Sequence, residues 1–199
     1  MPEDAGTPTD ADLPAASAHA DAVSTLTAFA PTDPEQARLR RDYLAYLDTH
    51  PHALDRDDDP GHLTASTLVV DPARGLVLLT LHARLGRWLQ LGGHVEPDDA
   101  GLHAAAVREA REESGLVDLH VDLRPSRLDR HTVPGCRRRD GRSRTVDHLD
   151  VQYLAEVGTD REPRMSEESA DLRWWPWDQA PDDDAAVGAL LALAHARWR

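Results

Sequence analysis

The segment at residues 92–116, GGHVEPDDAGLHAAAVREAREESGL, constrains this chain more than any other part of its sequence. A Gly-Gly turn opens it, and an Ala-rich stretch predicts a helix that carries Glu109, Glu112 and Glu113. Spacings of three and four residues place these carboxylates on one helix face, where they repel each other unless a cation compensates their charge. An all-oxygen ligand set suits a hard divalent ion such as Mg²⁺. The charge pattern alone also fits a surface helix with Arg/Glu pairs, which is the commoner case.

The second half of this segment resembles the Nudix box, the signature of a family of diphosphate hydrolases. Residues 108–116, REAREESGL, meet every specified position of the pattern Arg-Glu-apolar-any-Glu-Glu-any-Gly-apolar. The first half departs from the family pattern twice, because Asp99 stands in place of Glu and eight residues instead of seven separate it from Arg108. Residues 88–96, WLQLGGHVE, are similar to a bacterial subgroup with this longer spacing. The resemblance covers about residues 60–180.

The resemblance implies a metal centre and a residue that supports it. Mg²⁺, with Mn²⁺ as a second candidate, would be bound by the Gly92 carbonyl, Glu109, Glu112 and Glu113. Arg108 would hold a glutamate by a salt bridge, and Glu112, four residues further on, is within its reach. Glu109, Glu112 and Arg108 are therefore the box residues expected to take part in catalysis.

The general base is open between two positions. In some family members it is a box glutamate, and in others it is a glutamate from a later loop, where this chain has Glu167 and Glu168. Glu168 is the stronger candidate of the two, and the alternative interpretation is a plain acidic surface loop. Glu96 and Asp99 occupy positions where the family has supporting acidic residues, although the shorter reach of Asp99 predicts a smaller contribution.

The implied function is Mg²⁺-dependent cleavage of a diphosphate linkage in a nucleoside diphosphate derivative, with metal-activated water as the nucleophile. Two alternatives remain. An isopentenyl diphosphate isomerase-like enzyme would need a catalytic cysteine in a protected pocket, whereas the single cysteine, Cys136, falls in an Arg-rich stretch. A non-catalytic nucleotide-sensing Nudix module typically lacks box glutamates, and this chain retains all three.

Basic and nucleophilic side chains outside the box receive simpler interpretations. The arginines at residues 135–144 predict a solvated hairpin tip, with contacts to substrate phosphates as the alternative. His94 and His148 are expected to be structural or hydrogen-bonding histidines. No role beyond oxidation is expected for Cys136.

The fold class implied by the resemblance is α/β, a Nudix-type α/β/α sandwich with a mixed sheet. The hydrolase domain is expected to span residues 34–199, with the box at 92–116. Asp98 or Asp99 is expected to cap the box helix. Hydrophobic periodicity predicts strands at 67–70, 76–81, 88–91, 117–124, 127–133, 148–157 and 172–175, and helices at 100–114 and 183–198.

The start of the chain combines a predicted tail with a predicted helix. Residues 1–33, rich in Ala, Asp, Thr and Pro, are expected to form a disordered acidic tail. Asp33 and Pro34 then predict the start of an N-terminal helix, with Gln36 at the spacing of a capping box. This helix should end near His50, because a proline follows it.

Charge and composition limit the partners of the chain. A formal net charge of −14 disfavours nucleic-acid binding, which needs a positive surface. No segment approaches the roughly 20 apolar residues of a membrane helix, and no secretory signal pattern is seen. A single cysteine excludes an intrachain disulfide and fits a cytoplasmic location. We therefore expect a small nucleotide-like substrate, no nucleic acid and no membrane, with a homodimer as an expectation from the family alone.

Overall fold

The computed structural model describes residues 13–159, 162–166, 169–182 and 184–198. Each predicted strand and helix has a counterpart within these residues, and most strands are longer than predicted. The elements in chain order are α1 Leu13–Ala28, α2 Pro34–Thr49, β1 Gly61–Asp71, β2 Leu76–His82, β3 Arg87–Leu89, β4 Leu91–His94, α3 Leu102–Ser114, β5 Leu119–Val121, β6 Arg127–Arg137, β7 Ser143–Val157, β8 Ser169–Pro176 and α4 Ala185–Trp198.

The long strand β1 is the centre of a mixed sheet. Along one edge it pairs in parallel with β7 over almost its whole length. Along its other edge, the middle of β1 pairs with β4 and its last three residues pair with β2, both antiparallel. Strand β7 is divided in the same way, between β6 and β5. The predicted mixed sheet is confirmed. The predicted turn at Gly92 and Gly93 is wrong, because both glycines lie within strand β4 and pair with Ser66 and Ala65 in the middle of β1. The name Gly-Gly turn is kept below for this pair of residues.

Helices cover both faces of this sheet, because side chains alternate along β1. Leu68 and Val70 pack in one cluster with Leu190 of α4. Val69, which lies between them, packs on the opposite face with Ala110 of α3. Helices α1 and α2 cover the rest of the α3 face. The predicted α/β/α sandwich is confirmed, and none of the described helices is both long and apolar enough to span a bilayer.

Part of the predicted disordered tail is a helix. Residues 13–28 form α1, and its Ala22 and Leu26 are completely buried in the cluster shared with α2 and α3. The prediction failed because two of the buried residues of α1 are Ala18 and Ala22, and such small side chains give little hydrophobic periodicity. Residues 1–12 lie outside the described residues.

The start of α2 agrees with the sequence in one respect and departs from it in another. Asp33 caps the helix as predicted, since its carboxylate accepts a hydrogen bond from the Gln36 N–H at 2.9 Å. The Gln36 side chain, however, does not close a capping box. Its amide pairs with the backbone N–H and C=O of Leu128 at 2.6 and 3.0 Å. A residue with a predicted local role therefore joins α2 to β6.

Half of the Arg-rich segment at residues 135–144, predicted as a solvated hairpin tip, is β-structure. Strand β6 continues to Arg137, and β7 begins at Ser143. A tight turn with Gly141 in the left-handed conformation, at φ 82°, joins the two strands. The predicted hairpin is confirmed, but its tip is only residues 138–142, because a run of arginines has no hydrophobic alternation to show how far the strands extend.

The arginines of this hairpin are not simply solvated. Arg138 lies 3.4 Å from a carboxylate oxygen of Asp59 and 3.6 Å from one of Asp57. The Arg139 N–H donates to Asp57 at 3.1 Å, and Arg144 forms an ion pair with Asp59. The aspartates of the loop before β1 thus neutralise positive charge of these arginines, which the sequence analysis considered as contacts for substrate phosphates.

Candidate functional site

Helix α3 carries the acidic residues of the site, and both of its ends are held. Gly115 ends the helix in the left-handed conformation, at φ 67°, as its position in the sequence predicts. At the other end, the Leu102 N–H donates to Oδ2 of Asp21 at 3.0 Å. The predicted cap by Asp98 or Asp99 is wrong. The residue at the cap position is a glycine, so an aspartate of α1 supplies the acceptor instead.

The Gly-Gly turn lies directly against two glutamates of α3. The Gly92 N–H donates to Oε2 of Glu113 at 2.9 Å. A Cβ atom on Gly93 would lie 2.6 Å from Oε1 of Glu109, closer than real Cβ atoms approach other atoms. A Cβ atom on Gly92 would collide in the same way with Ser66 of β1. Glycine is therefore needed at position 92 for the close pairing of β4 with β1, whereas an added Cβ at position 93 would displace the Glu109 carboxylate.

Arg108 holds the acidic residues in place. Its guanidinium donates to Oε1 of Glu109 at 2.9 Å and to Oε2 of Glu112 at 3.0 Å. It also donates to both carboxylate oxygens of Asp99 and to the His94 carbonyl, the latter at 2.8 Å. The hydrogen bond to Asp99 is the main cause that raises the pKa of Arg108 further above its ordinary value. The guanidinium therefore stays charged and fixes both glutamates relative to the turn.

Asp99 contributes more to this arrangement than its short side chain predicts. It is only 7 % exposed, and its Oδ2 lies 2.8 Å from Nη2 of Arg108. The same oxygen accepts a hydrogen bond from the Glu96 N–H at 2.8 Å, which closes a tight turn before α3. The long Arg108 side chain supplies the reach that an aspartate lacks.

The acidic side chains differ in their access to solvent. The Glu109 side chain is 15 % exposed, whereas that of Glu112 is 59 % exposed. In the described part of the chain, four carboxylates lie around the Gly-Gly turn and the Arg108 guanidinium: Asp99, Glu109, Glu112 and Glu113. Oxygen donors, an excess of negative charge and a glycine-lined approach together fit a hard divalent cation such as Mg²⁺.

Two further acidic positions named from the sequence have different outcomes. Glu96 lies beside the turn and is held by two guanidinium groups, Arg56 at 3.0 Å and Arg139 at 3.5 Å. Glu167 and Glu168 lie outside the described residues. The choice of general base therefore stays a prediction.

A buried polar cluster that the sequence analysis missed lies beneath the Gly-Gly turn. The Asp150 carboxylate accepts hydrogen bonds from Ser66 at 2.6 Å, Thr64 at 2.9 Å and Gln152 at 2.8 Å. Burial raises the pKa of Asp150 above its ordinary value. Ser66 is paired with Gly92 in the sheet, so the cluster supports the turn from below. The alternation of polar residues in HLDVQYLAEV was a signal that could have revealed it.

The chain is similar to a known family and to several solved structures. A family model described as NUDIX domain matches residues 60–194. A Caenorhabditis elegans Ap4A hydrolase binary complex is 21 % identical, with 67 % of this chain and 96 % of that chain covered and a TM-score of 0.48. A Nudix family hydrolase from Clostridium perfringens is 27 % identical, with 59 % and 82 % covered and a TM-score of 0.41. The Nudix domain of Shewanella oneidensis NrtR, complexed with ADP ribose, is 22 % identical, with 69 % and 88 % covered and a TM-score of 0.45. None of the curated proteins compared with the chain matches it.

The matched region includes every part of the acidic site. It contains the Gly-Gly turn, α3 with its three glutamates, and the strands β1 and β4 that position them. The match also spans more than half of the chain. The chain therefore belongs to the NUDIX domain family.

Proposed function

We propose that this protein is a hydrolase that cleaves a diphosphate linkage in a nucleoside diphosphate derivative, with Mg²⁺ as its cofactor. The Gly92 carbonyl, Glu109, Glu112 and Glu113 would hold the ion, and Mn²⁺ is the alternative metal. The observation that carries the proposal is the approach of Glu109 and Glu113 to the Gly-Gly turn, with Glu113 Oε2 only 2.9 Å from the Gly92 nitrogen. When bound, the ion would neutralise charge on the diphosphate oxygens and lower the pKa of a water molecule.

The residues around the glutamates keep the site pre-organised. Asp99 positions Arg108, and Arg108 in turn holds Glu109 and Glu112. These carboxylates therefore need not reorganise when charge develops on the phosphate oxygens. The Glu109 side chain is also largely buried, so water screens its charge less and its carboxylate attracts a cation more strongly.

Glu168 is our candidate for the general base. A base must accept the proton of the attacking water molecule, and it needs a carboxylate that is not already engaged. Glu109 and Glu112 both accept hydrogen bonds from Arg108 and belong to the proposed metal ligands. Glu168→Gln should remove the acidic limb of the pH profile of kcat and leave the Mg²⁺ dependence intact. Glu167→Gln is the matched control. If Glu112→Gln, and not Glu168→Gln, removes the acidic limb of the pH profile, the general base is a glutamate of the box.

The acidic character of the protein supports a small substrate over a nucleic acid. A net charge of −14 would repel a polyphosphate backbone, whereas a single diphosphate can be neutralised by a metal ion. We also infer a cytoplasmic location, which the free thiol of Cys136 supports. The homodimer expected from the family would be tested by light scattering of the purified protein.

The first experiment is a survey of nucleotide release from dinucleoside polyphosphates, nucleoside diphosphate sugars and ADP-ribose. Each substrate is incubated with and without Mg²⁺, using the wild type and Glu113→Gln. We expect metal-dependent turnover that falls by at least about 100-fold in the variant, since a metal ligand is lost. Glu35→Gln, which changes a 62 % exposed glutamate of α2, should behave as the wild type.

Three outcomes would contradict the proposal. Turnover that is insensitive to Mg²⁺ and to Glu113→Gln would place the chemistry elsewhere. Tight nucleotide binding without turnover, unchanged in Glu113→Gln, would favour a sensing module. Conversion of isopentenyl diphosphate to its allylic isomer, without hydrolysis of any nucleotide, would favour the isomerase alternative.

A further inference from the structure

Beside the acidic site, four side chains with nitrogen and sulfur donors meet on one face of the sheet. His62 lies at the start of β1, His94 at the end of β4, Cys136 on β6 and His148 on β7. One ligand atom from each residue lies within 4.8 Å of the ligand atoms of the other three. We propose that these four residues form a tetrahedral Zn²⁺ site that is separate from the acidic site on α3.

The strand register explains why the histidines meet. His62 is paired with His148 in the parallel ladder between β1 and β7. His94 is paired with Thr64, two residues further along β1. Paired residues share a face of the sheet, and so do alternate residues of one strand. The three imidazole rings therefore lie together, with centroids 4.8 to 5.2 Å apart.

A β-bulge turns Cys136 towards the same face. Regular pairing of β6 with β7 ends at Val133, and beyond it Cys136 lies opposite Arg144. The extra residue in β6 is accommodated by Gly135, which has a φ of 73°. Without it Cys136 would lie opposite Ser143, and its side chain would point to the other face of the sheet. The bulge thus aims the thiol at the histidines.

The distances around the thiol match those of a zinc centre. Sγ of Cys136 lies 3.6 Å from Nε2 of His94 and 3.6 Å from Nε2 of His148. In a tetrahedron with bonds of about 2.3 Å to sulfur and about 2.0–2.1 Å to nitrogen, these atoms are about 3.6 Å apart. No two ligand atoms are more than 4.8 Å apart, so a pair of nitrogens would close by at most about 1.4 Å to reach the nitrogen–nitrogen distance of such a centre.

His62 is the strongest single indication of a ligand. Its side chain is completely buried, and neither ring nitrogen has a partner at normal hydrogen-bond geometry in the described part of the protein, although the Asp58 backbone lies close enough to affect its pKa. Buried polar nitrogens normally have partners, and a metal ion would supply one. Burial lowers the pKa of His62 to about 4, of His94 to about 3 and of His148 to about 2. The rings are therefore neutral at neutral pH, as metal binding requires.

Cys136 would supply negative charge to the ion. The residue is 3 % exposed, and burial raises the pKa of its thiol, so that the metal-free thiol is protonated. Zinc binding would break the S–H bond, release the proton to solvent and leave a thiolate on the ion. One thiolate and three imidazoles suit Zn²⁺, whereas Mg²⁺ prefers oxygen. The two metal sites are therefore chemically distinct.

Besides this contraction of the cluster, zinc binding requires a change of hydrogen-bond partner at His94. Nη2 of Arg56 donates to Nδ1 of His94 at 3.1 Å and to Oε1 of Glu96 at 3.0 Å. A guanidinium can only donate, so the neutral ring carries its proton on Nε2 in this state. Coordination through Nε2 would move that proton to Nδ1. Arg56 would then leave His94 and keep its ion pair with Glu96.

A zinc ion at this position would be structural. Four protein ligands close the coordination shell and leave no open position for water or substrate. The ion would tie together β1, β4, β6 and β7 next to the Gly-Gly turn. His94 directly follows that turn, and its carbonyl accepts a hydrogen bond from Arg108 at 2.8 Å. This inference does not rest on the proposed hydrolytic function.

The test is the metal content of the full chain, purified without chelator. We expect one equivalent of zinc by elemental analysis. After replacement by Co²⁺, we expect the strong visible bands of a tetrahedral centre and a near-ultraviolet band from thiolate to cobalt. Cys136→Ser should abolish the near-ultraviolet band. It should also lower the zinc retained after dialysis against a chelator by at least about 10-fold.

Controls separate this site from the acidic site and from general surface binding. His62→Gln should lose zinc as Cys136→Ser does, whereas His120→Gln, at a 72 % exposed histidine, should retain it. Glu113→Gln should also retain zinc. Zinc that survives Cys136→Ser and disappears in Glu113→Gln would overturn the proposal. A wild-type protein with no bound zinc and no thiolate-to-cobalt band would overturn it as well, independently of any variant and of any activity assay.

Discussion

Replacement of Gly93 by alanine tests whether the activity requires the close approach of the turn to α3. The added Cβ would lie 2.6 Å from Oε1 and 2.7 Å from Cδ of Glu109. Ordinary contact begins at 3.4 Å, so the carboxylate would have to move by about 0.8 Å. A misplacement of about 1 Å at a catalytic group can cost on the order of 100-fold in rate.

The expected effect is on catalysis and much less on folding. Gly93 is not among the glycines with a positive φ, so alanine is compatible with its backbone. We expect kcat/KM to fall by about 100-fold, which corresponds to about 2.7 kcal/mol of transition-state stabilisation. The free energy of unfolding should change by no more than about 1 kcal/mol, a shift of only a few degrees in Tm.

The assay is kcat/KM for nucleotide release across a Mg²⁺ titration, with Tm measured by calorimetry. Gly188→Ala is the matched control. It lies within α4, where the nearest atom to a new Cβ is 3.6 Å away, and alanine there should stabilise the helix by about 0.5–1 kcal/mol. Gly93→Ala with the metal affinity of the wild type and activity within about 3-fold of it would refute the argument, because Glu109 would then not depend on the turn.

Asp99→Asn removes the charge that holds Arg108, and we expect kcat to fall by about 10-fold. Asp98→Asn, at an exposed aspartate, is the control and should leave kcat unaltered. Asp21→Ala removes the cap of α3 and should lower the free energy of unfolding by about 1 kcal/mol; an unchanged denaturation midpoint would count against the cap. Asp118 accepts a hydrogen bond from the Thr159 N–H, which lowers the pKa of this carboxyl. Its stabilising contribution is present above the ordinary pKa of aspartate and is lost as pH falls through the lowered value. Asp118→Ala should therefore lower Tm at neutral pH and have little effect in strong acid, and an equal shift across that range would contradict the assignment.

The acidic half of the site could be predicted from sequence because helical spacing is a local property. The segment 108–116 fixes which carboxylates share a face, and Gly115 marks the end of the helix. The cap at Asp33 is local in the same sense, since donor and acceptor are three residues apart. Patterns of this kind need no knowledge of the tertiary fold.

The features that sequence reasoning missed depend on segments that are distant in the chain. Asp21 caps a helix 81 positions away, and Gln36 pairs with Leu128 across 92 positions. Metal motifs are usually recognised from short spacings such as C-x-x-C. His62 and Cys136 have no such spacing, because a parallel strand pair and one bulge bring them together.

The cap from Asp21 also limits how this protein can be shortened. The family match begins at residue 60, after α1 and α2 have ended. A fragment cut there would leave the Leu102 N–H without its acceptor and would expose the apolar sheet face that includes Leu63 and Tyr153. Uncovered apolar surface of this kind promotes association between molecules. A loss of activity in such a fragment would therefore report on folding and solubility before it reported on chemistry.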